Sequence, residues 1–405
     1  MEINWQEKIE RVSKLYSPTA PIKEQSLFQG RVEQLGKIDL AVREIGQHII
    51  VYGDRGVGKT SLANIVGERY RVAINSLVSC NANSTLSGLW KTLFKRIPVS
   101  VERYKVIGFS LDKDNEEKIR NVITLADGLD PRKEIDVDEI NTLLSTVNSL
   151  GYKLLFIFDE FDQIRNESLV ADISNIIKFC SDHLENITIM VVGIGKSVTD
   201  LINNHQSIER ATKQIFLQRM SDDELKDIVT KANTELGLQI DRKVLNDIVS
   251  YSSGYPHYTH LLGKFATLNA LTRGSNTIND EDFKYAVNQS IENANESIRR
   301  TYEKAVITSK AESYFPVVLT ACALVETDEH GAFRLTDIKD VLKNEFNVDL
   351  DMQGYQYHIG KFCTDDRGNI LEKIDVSGAS YKYKFINPLF RSYVILKHYK
   401  NKCCI

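Results

Sequence analysis

The segment GDRGVGKT, residues 53–60, constrains the fold more than any other part of this sequence, because it joins an apolar strand to a helix. The run before it, His48–Gly53 (HIIVYG), is typical of a buried β-strand, and the residues after it have a helical pattern. Glycines in such a loop let backbone N–H groups surround a phosphate at the positive end of the following helix. A plain glycine-rich turn does not explain Lys59 and Thr60 at its end. The segment therefore predicts a phosphate-binding loop.

The loop predicts ATP with Mg²⁺ as its ligand. Lys59 is expected to reach the β- and γ-phosphate oxygens, and the Thr60 hydroxyl is expected to ligate the Mg²⁺. The candidate nucleotide-binding residues of the loop are Gly53, Asp54, Arg55, Gly56, Val57, Gly58, Lys59, Thr60 and Ser61.

Two carboxylates follow a second apolar strand about a hundred residues later. Asp159 and Glu160 come directly after LLFIF, and the ends of parallel strands form ligand crevices. Asp159 is expected to hold the Mg²⁺ and its water shell, and Glu160 to orient and polarise the attacking water. Taken alone, such a pair equally fits a helix start in solvent. Together with the phosphate-binding loop, it predicts the catalytic half of an ATPase site.

From Gln47 onward, strands alternate with helices, which predicts an α/β fold with a parallel sheet. The predicted strands are His48–Gly53, Val72–Cys80, Tyr152–Phe158, Ile187–Val192 and Lys213–Leu217, with a helix over Asp136–Leu150. The charged stretch from Pro98 to Lys133 is too long for an ordinary connection and is interpreted as an irregular insertion.

After Met220 the strands stop. Ser221–Gly254 predicts two amphipathic helices opened by a capping box, and a further helix follows Gly254-Tyr255-Pro256. Asp280–Lys310 predicts a long helical stretch that is rich in charge. The last part predicts helices over Phe315–Val325, Thr336–Phe346 and Met352–Phe362, a turn over Asp328–Gly331, and a hairpin formed by Ile370–Asp375 and Tyr381–Ile386. These patterns predict an ATPase core over residues 1–219, a helical lid over 220–310 and a winged helix over 311–405.

Composition restricts the partners and the compartment. The formal net charge is −4, which gives no overall positive field for nucleic acid or for an anionic membrane. The six cysteines form no C-x-x-C pair, which argues against disulfides and structural zinc. No signal peptide or run of about 18 apolar residues is present, so we expect a cytoplasmic protein without membrane contact.

These motifs together resemble the AAA+ and STAND class of P-loop ATPases, near the origin-recognition initiators. The likeness covers most of Leu27–Gly274 and, more loosely, Phe315–Tyr399. It implies that Phe28 and Arg31, in the FQGR segment before the first strand, frame the adenine. It also implies that Pro256, in the turn Gly254-Tyr255-Pro256, brings the lid to the nucleotide.

Three positions depart from this resemblance or are only suggested by it. At the end of the fourth strand, where such families place Asn or Thr to sense the γ-phosphate, the sequence has Gly193-Ile194-Gly195, so the sensor is absent or moved to Lys196 or Ser197. His257 replaces the usual lid arginine; it is predicted to face a phosphate, or to pack with His260, rather than to bind a metal. Arg210 lies where relatives carry an arginine that completes a neighbouring subunit's site, although a surface arginine capping a loop fits equally.

Two functions compete at this stage. The first is a slow ATPase switch whose nucleotide state controls homo-oligomerisation and an effector or partner protein, in defence or stress response. The second is a DNA-binding initiator or loader that uses the winged helix. Residues 296–405 hold sixteen Lys and Arg against fifteen Asp and Glu, which is weak for gripping phosphates, although Lys373, Lys382, Lys384 and Arg391 predict a local basic patch on the wing. A small-molecule kinase fits the loop but not Asp159 and Glu160.

Overall fold

The structure is a computed structural model that describes residues 5–18, 20–22, 28, 30–70, 74–106, 116–149, 151–195, 197–202, 206–307, 313–376 and 380–403. Within these residues, no helix is long and apolar enough to cross a membrane.

The core of the molecule is a five-stranded parallel sheet, which confirms the predicted fold class. In chain order its strands are β1 (His48–Gly53), β2 (Ile74–Ser79), β5 (Leu154–Asp159), β6 (Ile187–Ile194) and β7 (Thr212–Phe216). They lie in the spatial order β2-β5-β6-β1-β7, and all neighbouring pairs are parallel. Their ends fall within two residues of the predicted ends, except that Val72 and Ala73 lie outside the described residues.

Helices cover both faces of this sheet. They are α2 (Val32–Arg43), α3 (Lys59–Arg69), α4 (Leu86–Phe94), α5 (Val137–Ser149), α6 (Glu167–His183) and α7 (Gln206–Ala211). Successive strand residues point to opposite faces, so Ile49 and Val51 join one hydrophobic cluster and Ile50 joins the other. Because both faces are covered, the central strands β5 and β6 are buried along almost their whole length and are largely apolar.

The stretch after Pro98, which was interpreted as an irregular insertion, is not irregular in the structure. Residues of this stretch form an antiparallel pair, β3 (Pro98–Val106) and β4 (Glu116–Thr124), followed by a short 3-10 turn. The register places Glu102 opposite Arg120, and Lys105 opposite Glu117. This backbone register shows that a stretch whose charges look irregular in sequence is regularly paired over its described residues.

The helical lid consists of α8 (Asp222–Leu236), α9 (Arg242–Ser252), α10 (Pro256–Thr272) and α11 (Asp280–Glu292), with a small parallel pair of strands, β8 (Gln239–Ile240) and β9 (Thr277–Ile278). The predicted capping box is present, because Ser221 and Glu224 exchange hydrogen bonds with each other's backbone. The N-terminal helix α1 (Trp5–Leu15) packs on the lid, where the Tyr16 hydroxyl donates to Asn233 Oδ1 at 3.2 Å.

The long helical stretch expected over Asp280–Lys310 consists of two helices. Helix α11 ends at Glu292, and a second helix, α12 (Glu296–Val306), begins after a break. Asn293 is the C-cap of the first helix and Asn295 the N-cap of the second. Asparagine favours such capping positions over helix interiors, which accounts for the break.

The C-terminal part contains α13 (Phe315–Leu324), β10 (Ala332–Arg334), α14 (Ile338–Phe346), α15 (Met352–Phe362), β11 (Leu371–Val376), β12 (Ser380–Phe385) and α16 (Pro388–Cys403). The three strands form an antiparallel sheet in the order β10-β12-β11. This arrangement is compatible with the predicted winged helix and adds the short strand β10, which the sequence did not reveal. Helix α16 packs against α11 and α13 and so joins this part to the lid.

Candidate nucleotide site

The glycines of the loop after β1 are required by close backbone approaches. At Gly53 φ is 153°, and a Cβ would lie 2.4 Å from the carbonyl oxygen of Leu217. At Gly56 φ is 85°, and a Cβ would lie 3.2 Å from the side chain of Leu389. No other residue fits the first position, and the second brings the loop into contact with the start of α16.

Lys59 is turned back onto its own loop. Its Nζ donates to the carbonyl oxygens of Gly53, at 3.1 Å, and Asp54, at 2.8 Å. Burial lowers the pKa of Lys59 to about 8, although Asp162, Asp54 and Asp159 oppose that shift. A buried ammonium with two weak neutral acceptors gains from an anionic ligand, so the side chain is suited to take up a phosphate.

Thr60 and Asp159 come together at the foot of the loop. The Thr60 hydroxyl hydrogen-bonds the Asp159 carboxylate, whose Oδ1 also accepts the Glu160 backbone N–H at 2.9 Å. Burial raises the pKa of Asp159, and these hydrogen bonds and Lys59 oppose the rise. A hydroxyl and a carboxylate oxygen in contact form a hard donor set that suits Mg²⁺.

Glu160 has a backbone conformation that glutamate rarely adopts, with φ of 56° and ψ of 35°. Its side chain is exposed in the same cleft as Lys59. Non-glycine residues held in the left-handed region are strained and concentrate at functional sites. The conformation is consistent with a carboxylate that is positioned for chemistry.

The phosphate cleft, as we name the space between the loop, the end of β5 and the start of α10, has a void of about 1250 Å³ that opens to solvent. The predicted site residues that line it are Arg55, Gly56, Gly58, Lys59, Thr60, Ser61, Asp159, Glu160 and His257. Gly53, Asp54 and Val57 belong to the loop but do not line this cleft.

The end of β6 places no polar sensor in the cleft. Ile194, 40% exposed, lines it instead. Of the two predicted substitutes, Lys196 lies outside the described residues, and the Ser197 hydroxyl pairs with Thr199 at 2.6 Å. Asp162, the next carboxylate after Glu160 along the chain, lines the cleft as well. Its spacing in the segment FDEFD, three residues after Asp159, was the available signal.

Phe28, Arg31 and Pro256 line a second, smaller cleft, called here the side cleft, with a void of about 440 Å³. Arg31 lies at the start of α2 with φ of 61°, and its Nη2 donates to the carbonyl oxygens of Val57 (3.0 Å) and Gln218 (2.6 Å). Arg31 therefore ties the phosphate-binding loop to the segment after β7. The side cleft shares Ser17, Gly58 and Ser61 with the phosphate cleft, so the two spaces adjoin.

The two lid histidines lie in different clefts. His257 lines the phosphate cleft, and its Nδ1 donates to the Pro18 carbonyl oxygen at 2.7 Å. Burial lowers the pKa of His257, so at neutral pH its Nε2 is an acceptor. His260 lines the side cleft instead. Among the described residues there is no cluster of three potential metal-binding His, Cys, Asp or Glu side chains.

Arg210 is not near the cleft of its own chain. It is exposed at the end of α7, directly before β7. Strand β7 runs parallel to β1, with Thr212 opposite His48, whereas the phosphate-binding loop follows the other end of β1. Five residues of strand at roughly 3.3 Å each place Arg210 about 16 Å or more from the loop.

The strand order and the phosphate-binding loop at the end of β1, facing the carboxylates after β5, define a P-loop nucleoside triphosphatase. Residues 43–202 match the AAA_22 family, described as an AAA domain. This match agrees with the AAA+ class of P-loop ATPases that the sequence motifs predict.

Solved structures are similar to this chain over most of its length, at low sequence identity. A Walker-type ATPase of Pyrococcus abyssi superposes with a TM-score of 0.52 at 17% identity, over 94% of this chain and 99% of that chain. The Cdc6 protein of Pyrobaculum aerophilum gives a TM-score of 0.48 at 13% identity, over 96% and 98%. The ORC2 protein of Aeropyrum pernix gives 0.46 at 13% identity, over 96% and 98%. No curated protein matches the sequence.

Proposed function

We propose that the protein is an ATP-binding and slowly hydrolysing switch, in which the nucleotide state sets the position of the C-terminal part. That position would control self-association and the activity of a partner protein. The switch would have three units: a core over residues 1–219, a lid over 220–310 and a winged helix over 311–405.

The residues of the phosphate cleft have distinct roles in this proposal. Lys59 leaves the loop carbonyls and pairs with the β- and γ-phosphates. Thr60 and Asp159 hold a Mg²⁺, which supplies charge neutralisation to the phosphate oxygens. Glu160 orients the attacking water and accepts its proton. Phe28 and Pro256 cover the base, and His257 lies beside the phosphates.

A salt bridge between the C-terminal part and the phosphate-binding loop carries the proposal. Lys384 Nζ, on β12, lies 2.5 Å from Oδ1 of Asp54. The two side chains are only 7% and 18% exposed. A pair this shielded from water is strongly destabilised when one partner is removed, because a buried charge is left without compensation. The position of the C-terminal part is thereby linked to the conformation of the loop that receives the phosphates.

Further contacts reinforce this link. Leu389, at the start of α16, packs on Gly56, and its carbonyl oxygen accepts the Tyr258 hydroxyl of the lid at 2.9 Å. In the segment after β7, Arg219 Nη1 donates to Thr327 Oγ1 at 3.0 Å, and Gln218 Nε2 donates to Glu329 at 3.0 Å. The loop, the lid and the C-terminal part therefore meet at one junction beside the phosphate cleft.

Lys59 couples phosphate binding to this junction. Its ammonium donates to the backbone carbonyl of Asp54, and the side chain of the same residue pairs with Lys384. When Lys59 turns toward a phosphate, Asp54 loses one of its two cationic neighbours and its peptide group is free to rotate. Nucleotide binding is therefore expected to alter the salt bridge between Lys384 and Asp54 of the loop.

Among the described residues of the wing, the four cations expected to form a basic patch have contacts within the chain, and this favours the switch over a DNA-binding initiator. Lys382 pairs with Asp328 at 2.7 Å, and Lys384 pairs with Asp54. Arg391 is buried and donates to two backbone carbonyls, and Lys373 lies 3.3 Å from the centre of the Tyr381 ring. Cations engaged within the chain are poorly placed to grip a phosphate backbone.

The test of the switch is the mass and hydrodynamic radius in solution without nucleotide, with ADP, and with a non-hydrolysable ATP analogue. We expect the triphosphate to change mass or radius relative to ADP, and the Lys59→Ala protein to give the nucleotide-free values throughout. Identical values for all three states of the parent protein, at saturating nucleotide, would rule out the switch while leaving nucleotide binding intact.

A further inference from the structure

His260 is a buried histidine without a hydrogen-bonding partner. Its side chain is 4% exposed, and neither ring nitrogen has a partner among the described residues. Among the described residues, the Tyr16 ring lies edge-on to it, at 6.1 Å between centroids, and His257 is near enough to contribute to lowering its pKa. Burial of two unpaired ring nitrogens is unfavourable, so an orphaned imidazole in a folded protein calls for an explanation.

The surroundings of His260 indicate what its partner is. The side cleft, which its ring lines, is otherwise formed mainly by apolar side chains: Ile22, Phe28, Val57, Met220, Ile228 and Pro256. It adjoins the phosphate cleft at Gly58 and Ser61. A molecule with phosphates on the loop and a flat apolar ring would place that ring in the side cleft.

The other polar side chains that line the side cleft are already engaged. Arg31 donates to two carbonyl oxygens, and Ser17 donates to the Ala20 carbonyl oxygen at 2.7 Å. The Ser61 hydroxyl oxygen accepts the Ile22 backbone N–H at 3.1 Å. His260 is therefore the polar lining group whose hydrogen-bonding capacity is wholly unused among the described residues.

We infer that His260 hydrogen-bonds the purine base of the bound nucleotide and so selects the base. The inference rests on the proposed function, because it requires a nucleotide whose phosphates occupy the loop. Burial lowers the pKa of His260 to about 4, so the ring is neutral at pH 7, with one donor and one acceptor nitrogen. Adenine offers matching groups, an amino donor and ring-nitrogen acceptors, on the edges of an otherwise apolar ring.

The experiment compares ATP with four analogues that each lack one polar group of adenine: the 6-amino group, N1, N3 or N7. Dissociation constants are measured for the parent protein and for His260→Phe and His260→Leu, which remove the ring nitrogens. The parent is expected to bind one analogue about tenfold more weakly than ATP, the effect of one neutral hydrogen bond. In both variants that penalty should disappear, and ATP itself should bind about tenfold more weakly.

The ratio of the analogue's dissociation constant to that of ATP is taken within one protein, so a general loss of stability cancels. His48→Phe serves as the matched control, since His48 is equally buried but lies at the far end of β1; it should keep the parent's penalty. The inference would be overturned if both His260 variants still bound that analogue more weakly than ATP by the same factor, or if the parent bound all four analogues as tightly as ATP. Either outcome would leave ATP binding itself intact. If the parent binds no ATP, or binds it equally well after Lys59→Ala, the proposed function itself fails.

Discussion

The Asp162 carboxylate accepts the backbone N–H of Ile194, with Oδ1 and N 2.7 Å apart. This hydrogen bond joins the turn after β5 to the end of β6, the position at which related ATPases place a polar sensor. Asp162 Oδ2 also accepts the side-chain amide of Gln163 at 2.6 Å. Both oxygens of Asp162 are thus engaged within the protein, which leaves Glu160 as the better candidate for the base.

Glu160→Gln is expected to leave ATP affinity within about twofold and to lower turnover by roughly a hundredfold or more, because the amide keeps the shape but accepts no proton. The measurement is phosphate release at saturating ATP, with calorimetry for the affinity. Asp162→Asn is the matched comparison and should reduce turnover less. A larger loss in Asp162→Asn than in Glu160→Gln would transfer the base to Asp162.

Lys59→Ala is expected to weaken ATP binding by at least about a hundredfold, which corresponds to roughly 2.8 kcal/mol. The change removes a fixed cation from a partly desolvated loop. Calorimetric titration checks the affinity, and circular dichroism checks that the variant is folded. Lys91, half-buried on helix α4 and bonded to the carbonyl oxygens of residues 130, 131 and 133, provides the control variant Lys91→Ala. Equal ATP affinity in Lys59→Ala and the parent would contradict the site.

The lowered pKa of Lys59, about 8 in the nucleotide-free protein, predicts a pH dependence of binding. The protonated amine is the form that pairs with phosphate, and a bound phosphate raises the pKa again. ATP affinity should therefore be constant below about pH 7 and fall by up to about tenfold per unit above pH 8. Titrations between pH 6 and pH 10 check this. Lys59→Arg, whose guanidinium does not titrate in this range, should show a weaker slope.

The sequence reveals those parts of the site that depend on local patterns. The phosphate-binding loop, β1 and α3 are contiguous, so the spacing of their glycines and apolar residues was enough to predict them. The Ser221 capping box is likewise local, because both partners lie within one helical turn. The pairing of β3 with β4 was missed, because neither charged segment alone indicated a strand.

Contacts between distant segments were not predictable. Asp54 and Lys384 are 330 residues apart, and the sequence around one of them does not indicate the other. Only the packing of β12 against the loop brings them together. The wing lysines were interpreted as a basic patch because their partners, such as Asp54 and Asp328, lie in distant segments of the chain. His260 gave no signal beyond a helical spacing from His257, because its isolation is a property of the folded cleft.

The Asp54 and Lys384 pair predicts that charge reversal can be rescued. Asp54→Lys and Lys384→Asp should each expose β12 and the loop to hydrogen exchange roughly tenfold faster, because each leaves like charges facing one another. The double variant should restore most of the protection. Lys382→Asp is the control, since Lys382 pairs with Asp328 within the C-terminal part; it should leave the loop unaffected. No rescue in the double variant would remove this pair as the coupling element.

Arg210 predicts an effect between subunits. It is exposed at the end of the sheet opposite to its own loop, so any contribution to hydrolysis must come through a neighbouring chain. If it does, Arg210→Ala should retain ATP binding but lose turnover and ATP-induced assembly together, because one guanidinium stabilises both the transition state and the interface. Phosphate release and mass measurement check this.

Mixing two variants tests whether Arg210 acts in trans. Arg210→Ala subunits keep their own Glu160, and Glu160→Gln subunits keep Arg210, so a mixed interface contains one complete site. The mixture should therefore hydrolyse ATP faster than either variant alone, up to a quarter or so of the parent rate if subunits pair at random. The control is a chain that carries both Arg210→Ala and Glu160→Gln. Mixed with either single variant, it should not raise the rate of hydrolysis. A mixture that co-assembles but stays as inactive as its components would leave Arg210 as a surface residue that caps the end of α7.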